Sequence, residues 1–409
     1  MDQRAWSYLR TLVLAALLGA PVAFAAGLFQ TAIHDATHVV WDTVPDWLGQ
    51  SEPATWYVVL VPAVGGLLVA AAIRLPGHGG HSPLEGLGMG EVRLLDLPGI
   101  LLAALATLGF GLVLGPEAPL IALGLGLGAA IVRLVPLEQT EAQLLVLAGA
   151  FAAIAALFGG PLVAAFLLFE VTAASGRIPA HALGRALLPG FVAAGTGALV
   201  FTGVNDWPGL HVSELALPSL PAYDTVRIAD LAWCIPLAAG IALVVAGLLV
   251  GLAAVVFRAL ADRPVDLVLF SGQAELPGIV AEGSASVLAL LVLAKGLAYA
   301  LSLGSGFRGG PVFPAITIGV AVGVLAADIL PGLDTTPAIA VGIAAGTAAV
   351  LRVPFTAVLL ATLLLGSSAA DVAPIAVLAA AVGWVVAIAL PNPEDSPEPV
   401  PVDPDATTA

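Results

Sequence analysis

Charge is scarce in this chain. Of its 409 residues only 10% are Asp, Glu, Lys or Arg, where a soluble domain carries about 25%. With 60% hydrophobic residues and a mean hydropathy of +1.05, this shortage excludes a soluble globular protein and indicates an integral membrane one. The one cysteine, Cys234, excludes an internal disulfide and a cysteine metal cluster. Six histidines without HExxH spacing give little support for a metal site. Cations are also few, 13 Lys and Arg against 28 Asp and Glu for a net charge of −15, which argues against nucleic-acid binding. No nucleophile–base pair or repeated Asp motif lies on the apolar runs, so an intramembrane enzyme is not indicated.

What the chain has in abundance is long apolar runs, Gly (46) and Pro (31). The runs over 96–114, 231–257 and 284–301 are continuous rather than alternating with period two, so they predict helices, not a barrel. Others, such as 143–172 and 337–366, are too long for one span and contain Pro. They predict broken, tilted or re-entrant helices facing protein or a wet cavity. Residues 1–26 carry Arg4, Arg10 and an apolar run ending in Ala25-Ala26. They read as a first membrane helix or as a secretory leader; a polytopic protein needs no cleaved leader, which favours the helix.

Two short segments are near-copies. Residues 115–124 read GPEAPLIALG and residues 310–319 read GPVFPAITIG. A second pair, Phe158–Ala164 (FGGPLVA) and Leu351–Ala357 (LRVPFTA), recurs at nearly the same offset, 193 positions against 195. Duplication is the economical explanation, and in transporters the two copies are usually inverted. Half one covers about residues 1–205 and half two about 229–391, with a boundary in the polar stretch 203–229. Residues 262–283 interrupt half two. Residues 392–409, acidic and Pro-rich, predict a disordered tail.

In each copy Gly and Pro break the backbone before an apolar run, as where a helix begins in mid-membrane. A helix start exposes unpaired N–H groups and partial positive charge, and so attracts anions. Only the first copy carries a carboxylate, Glu117. A charge between apolar runs is costly and usually functional. An anion passing through would compete with it for the same positive field, so Glu117 is read as a gate that closes when ionised and opens when protonated; the bland reading is an acid that only stabilises a helix start.

The 111–119 segment (GLVLGPEAP) resembles the G-(K/R)-E-G-P signature of the CLC family of chloride channels and proton-coupled chloride transporters. Residues 304–314 (GSGFRGGPVFP) resemble its G-G-x-F-x-P segment. Phe158–Pro161 and Arg352–Pro354 resemble its F-N-A-P and R-A-P helix starts, and Leu75–Pro83 (LPGHGGHSP) sits where the family has G-S-G-I-P. The resemblance is collinear from about residue 60 to 365. It implies an all-α integral membrane fold, a CLC-type inverted repeat of many tilted and partly spanning helices, in a homodimer embedded in a lipid bilayer. It implies transport of chloride or a similar small inorganic anion across a multi-pass plasma membrane location, with no cofactor beyond the bound anion.

The resemblance assigns gating to Glu117. It assigns anion binding to Gly79, Gly80, His81 and Ser82, to Gly115, Pro116 and Ala118, and to Gly310, Pro311, Val312 and Phe313. Several positions depart from the family pattern. Gly80 replaces the family's serine, with His81 and Ser82 following. Backbone N–H groups around Gly79 and Gly80 are further candidate donors. His78 and His81 read equally as loop structure or as anion or proton handling, and less readily as metal ligands. Pro311 has no N–H, and Phe313 is shifted by one from the family phenylalanine. Arg308 either adds positive charge to the site or snorkels at the surface. The family's inner glutamate falls on Val171; the acid is Glu170, rotated by about 100° on a helix. Glu170 reads as part of a proton pathway or as a structural acid near Arg177. No Tyr follows residue 365, so the family's C-terminal pore tyrosine has no counterpart. These departures favour channel-like or loosely proton-coupled flux. The alternatives are a proton-coupled antiporter and a carrier for another anion such as fluoride.

Overall fold

The computed structural model describes residues 3–50, 52–81, 90–174, 180–204, 217, 220–221, 223, 227–245, 267–304 and 307–389. Ser82, Arg177, most of the 203–229 boundary and the 392–409 tail lie outside the described residues.

Among the described residues the chain is helical, with a single isolated β-bridge. In half one, α1 (Gln3–His38) runs through a π-turn into the short α2 (Val44–Trp47), followed by α3 (Thr55–Ala72), α4 (Leu97–Leu108), α5 (Glu117–Val132), α6 (Gln139–Phe158), α7 (Pro161–Ala174) and α8 (Ala180–Val204). The leader-like segment is thus the first two-thirds of α1. It packs on α6 and α8 with Leu18, Val22 and Ala26 buried, which makes it part of the domain's core. Half two holds α9 (Ile228–Val245), the short α10 (Leu276–Val280), α11 (Ala285–Gly304), α12 (Val312–Ile329), α13 (Thr335–Leu351), α14 (Pro354–Leu365) and α15 (Ala369–Ala389).

Six helical stretches are long and apolar enough to cross a membrane among the described residues; others, such as Glu117–Val132 and Pro161–Ala173, are apolar but shorter. At 1.5 Å per residue the 16 residues of α5 reach only about 24 Å, less than a hydrocarbon core of about 30 Å. α5 alone is therefore too short to span that core, which fits a helix that begins at a Gly-Pro break within the membrane.

The repeat is visible in packing as well as in sequence. In half one α5 packs on α6; in half two the corresponding α12 packs on α13. Gly124 on α5 faces Gly149 on α6 so closely that a Cβ on either would overlap the other's carbonyl, and Gly319 on α12 faces Gly342 on α13 in the same way. One turn on, Gly128 lies against the Val146 backbone and Gly323 against the Ala338 backbone. Both contacts are small-xxx-small stripes (124/128 and 319/323) that let two membrane helices touch along their backbones. Packing of this kind takes the place of the hydrophobic drive that lipid does not supply.

The halves meet head to head. Gly115 N–H donates to the Gly310 carbonyl (2.6 Å) and Gly310 N–H to the Gly115 carbonyl (2.5 Å), an antiparallel bridge between the two copies of the motif. The helices behind this bridge, α5 and α12, begin within two residues of it. Nearby, the fully buried Lys295 of α11 donates to the carbonyls of Leu267 and Leu269, 3.0 Å each. Part of the polar interruption in half two is therefore pinned onto the core by one amine.

Candidate functional site

The start of α5 follows from the local sequence. Pro116 takes the N-cap position and Glu117 is the first helical residue, so the carboxylate emerges where helix N–H groups lack intrahelical partners. Its side chain reaches across the bridge to half two. Phe313 N–H, at the start of α12, donates to Glu117 Oε1 at 3.1 Å. Phe313 is itself fixed by a ring contact with Phe158 at the end of α6, centroids 5.7 Å apart. The sequence reading placed Glu117 in the field of its own helix; the structure adds a hydrogen-bond donor, Phe313 N–H, from the opposite half.

Gly115 and Gly310 wall this seat. A Cβ on Gly310 would overlap Glu117 Oε2, and a Cβ on Gly115 would overlap both carboxylate oxygens. The glycines of the duplicated motif are needed for space: they allow a carboxylate to lie against the bridge. Glu117 is 0% exposed. Its Oε2 has no hydrogen-bond partner, and among the described residues no cation pairs with the carboxylate. A buried, half-satisfied anion is a costly arrangement. It is also a space shaped and polarised for an anion.

The sequence-assigned donors divide into groups. The amides of Gly115 and Gly310 are engaged with each other, Phe313 N–H holds Glu117, and Pro116 and Pro311 have no N–H. Ala118 and Val312, in the first turns of α5 and α12, keep amides that helix geometry leaves without an intrahelical partner. Gly79 and Gly80 both adopt φ near +80°, a region natural for glycine. The Gly80 amide, expected to be free, donates instead to the Gly77 carbonyl at 2.8 Å. These glycines and His81 line a cavity of about 380 Å³ that also touches Ala118, Pro119 and Arg308. A second cavity, of about 320 Å³, reaches Pro116 and is lined by His34, Trp41, Phe270 and Gln273 among others. Two cavities thus reach the start of α5, one at Ala118 and Pro119 and one at Pro116.

Glu170 lies apart from this seat. Its Oε1 accepts from Phe355 N–H (2.9 Å) and its Oε2 from Thr356 N–H (2.7 Å), with the Thr356 hydroxyl as a further donor. It caps the start of α14, the helix of the second repeated motif.

One residue escaped the sequence reading. Tyr299 of α11 is 3% exposed, its hydroxyl has no hydrogen-bond partner, and it lies within electrostatic reach of Glu117. Ser302, one turn further along, accepts from Val113 N–H at 3.1 Å, so this face of α11 borders the motif loop. No local pattern marks Tyr299; it sits in an ordinary apolar helix.

The geometry, two helix starts meeting at a buried acid with two cavities reaching the start of α5, suits the passage of an anion. Comparison with known proteins places it. The pattern of the family described as "Voltage gated chloride channel" matches residues 77–268 and 242–387. YfeO of Escherichia fergusonii, provisionally named an ion-transport protein, is 29% identical over 354 residues, covering 79% of this chain and 81% of its own; YfeO of an Escherichia coli O1:K1 strain gives the same figures. A slow cyanobacterial Cl⁻/H⁺ antiporter superposes with a TM-score of 0.76 at 21% identity, over 94% of this chain and 95% of its own. A CLC-type fluoride/proton antiporter gives 0.62 at 19%, over 93% and 95%. At such identities these structures speak for the fold, while the family match spans most of the chain. The chain therefore belongs to the voltage-gated chloride channel (CLC) family of membrane anion-transport proteins.

Proposed function

We propose that this protein passes chloride, or a similar small inorganic anion, across a plasma membrane through a pathway gated by Glu117, one pathway in each subunit of a homodimer. The observation that carries this reading is the seat of Glu117: a fully buried carboxylate held by the Phe313 amide between two glycines that leave it room. The first-turn amides of Ala118 and Val312 would meet an anion there, with Gly79, Gly80 and His81 lining the approach. Ionised, Glu117 fills the seat and competes with the anion. Protonated, it loses the charge that the helix starts attract, and the anion takes its place. Flux then rises as pH falls.

Flux is channel-like or loosely coupled to protons in this reading, supported by Val171 at the family's inner-glutamate position and by the absence of Tyr after residue 365. A second reading, proton-coupled exchange of chloride or fluoride, draws support from what the two structural neighbours are named for. Purified protein in liposomes tests both. Chloride efflux should increase toward acidic pH in the wild type and become fast and indifferent to pH in Glu117→Gln. Efflux unaffected by that substitution would remove the gate. An imposed pH gradient that drives chloride or fluoride uphill would establish exchange in place of channel-like flux.

A further inference from the structure

Arg308 lines the 380 Å³ cavity beside the α5 start and has no ionic partner among the described residues. Its backbone is anchored: Arg308 N–H donates to Thr107 Oγ1 (3.3 Å), and Thr107 is fully buried on α4. Its aliphatic stem lies against the glycine turn, with Cγ 3.4 Å from where a Cβ on Gly79 would stand. Its Nε is buried and has no hydrogen-bond partner. A snorkelling surface arginine directs its head to water, whereas Arg308 keeps its Nε buried beside a cavity that Ala118 and Pro119 also line.

The other charges facing the cavity do not cancel it. Asp96 is engaged by Arg93 through both carboxylate oxygens, 2.9 and 3.1 Å, and through the Arg93 amide. Glu91 is exposed, where water screens it. His78 and His81 add no negative charge. Among the described residues, Arg308 is left as a cation without an ionic partner and with an unpaired Nε–H, next to a helix start that also favours anions. A buried donor left unpaired is unfavourable, and a bound anion would relieve it with a charge-assisted hydrogen bond.

We propose that Arg308 is an anion-binding residue: it holds a small monovalent anion in this cavity, one step from the seat of Glu117. The transport role of that anion rests on the function proposed above; its binding does not. Gly80, which supplies neither a hydroxyl nor a free amide, leaves this part of the cavity without a donor of its own, and Arg308 brings one from the opposite half.

The test measures binding and flux separately on purified protein. Binding of sodium chloride, and of sodium nitrate in parallel, is titrated by calorimetry for wild type, Arg308→Lys and Arg308→Gln, with circular dichroism checking that each is folded. Loss of one charge-assisted contact should weaken binding about tenfold or more in Arg308→Gln, and Arg308→Lys should recover part of it. Equal affinity in wild type and folded Arg308→Gln would overturn the proposal. Should Arg308→Gln fail to fold, bromide anomalous diffraction on the wild type decides: density in contact with the guanidinium supports it, and a cavity without bromide overturns it. Wild-type protein that binds chloride through Arg308 yet shows no liposome flux would refute the transport reading and leave the site standing.

Discussion

Glu117 and the two glycines beside it form one functional unit. A methyl group on Gly310 would overlap Glu117 Oε2, so Gly310→Ala should expel the carboxylate from its seat while leaving the acid in place. Chloride efflux from Gly310→Ala liposomes should lose its pH dependence as in Glu117→Gln, and adding Glu117→Gln should change nothing more; a Gly310→Ala protein with the wild-type pH profile would contradict the seat. Tyr299 bears on the same space from α11. Its orphaned hydroxyl can donate to an anion that replaces the carboxylate. Tyr299→Phe keeps the ring packed and removes one neutral donor worth about 1 kcal/mol, so chloride affinity should fall several-fold, read by calorimetry, and an unchanged affinity would exclude the contact. At this scale Glu117 was legible because an acid between apolar runs stands out. Tyr299 was not, because only the fold brings a residue 182 positions away to the gate.

At the scale of helices, the two halves differ in one consistent way. Half one sends an acid to each of two helix starts in half two: Glu117 to α12 and Glu170 to α14. The repeat-related positions in half two, Val312 and Leu363, are apolar. The donors on Glu170 make it a cross-half helix cap. Glu170→Gln should therefore lower the melting temperature and leave the pH profile of efflux unchanged; a changed profile at unchanged stability would restore a proton role. The glycine stripes make a second expectation. Gly342→Ala forces a methyl group into the Gly319 backbone, and overpacking of this sort costs about 1–3 kcal/mol. Thermal unfolding in detergent should show that loss, and a neutral substitution would mean the α12–α13 contact is looser than described. The helix breaks and the repeat could be read from Gly and Pro spacing. The facing partners Gly149 and Gly342 could not, since each lies on a different helix from the glycine it touches.

For the molecule as a whole, duplication turns two related helix starts into a single site at the junction of the halves. Neither half is complete alone: Glu117 and its bridging Gly115 come from one, Phe313, Gly310, Tyr299 and Arg308 from the other. Composition and two motif pairs were enough to indicate the membrane class and the duplication, while the inversion of the halves came only from the family resemblance. They could not show which amides stay free, because the Gly115–Gly310 bridge consumes two of the expected donors and the Gly77–Gly80 turn a third. The central claim is that a carboxylate and an anion compete for one seat. Bromide anomalous diffraction on Glu117→Gln, compared with wild type at neutral pH, addresses it most directly. The expected result is bromide against the Phe313 amide between Gly115 and Gly310 in the variant, and none there in the wild type. Bromide bound equally in both, or absent from that position in the variant, would contradict it.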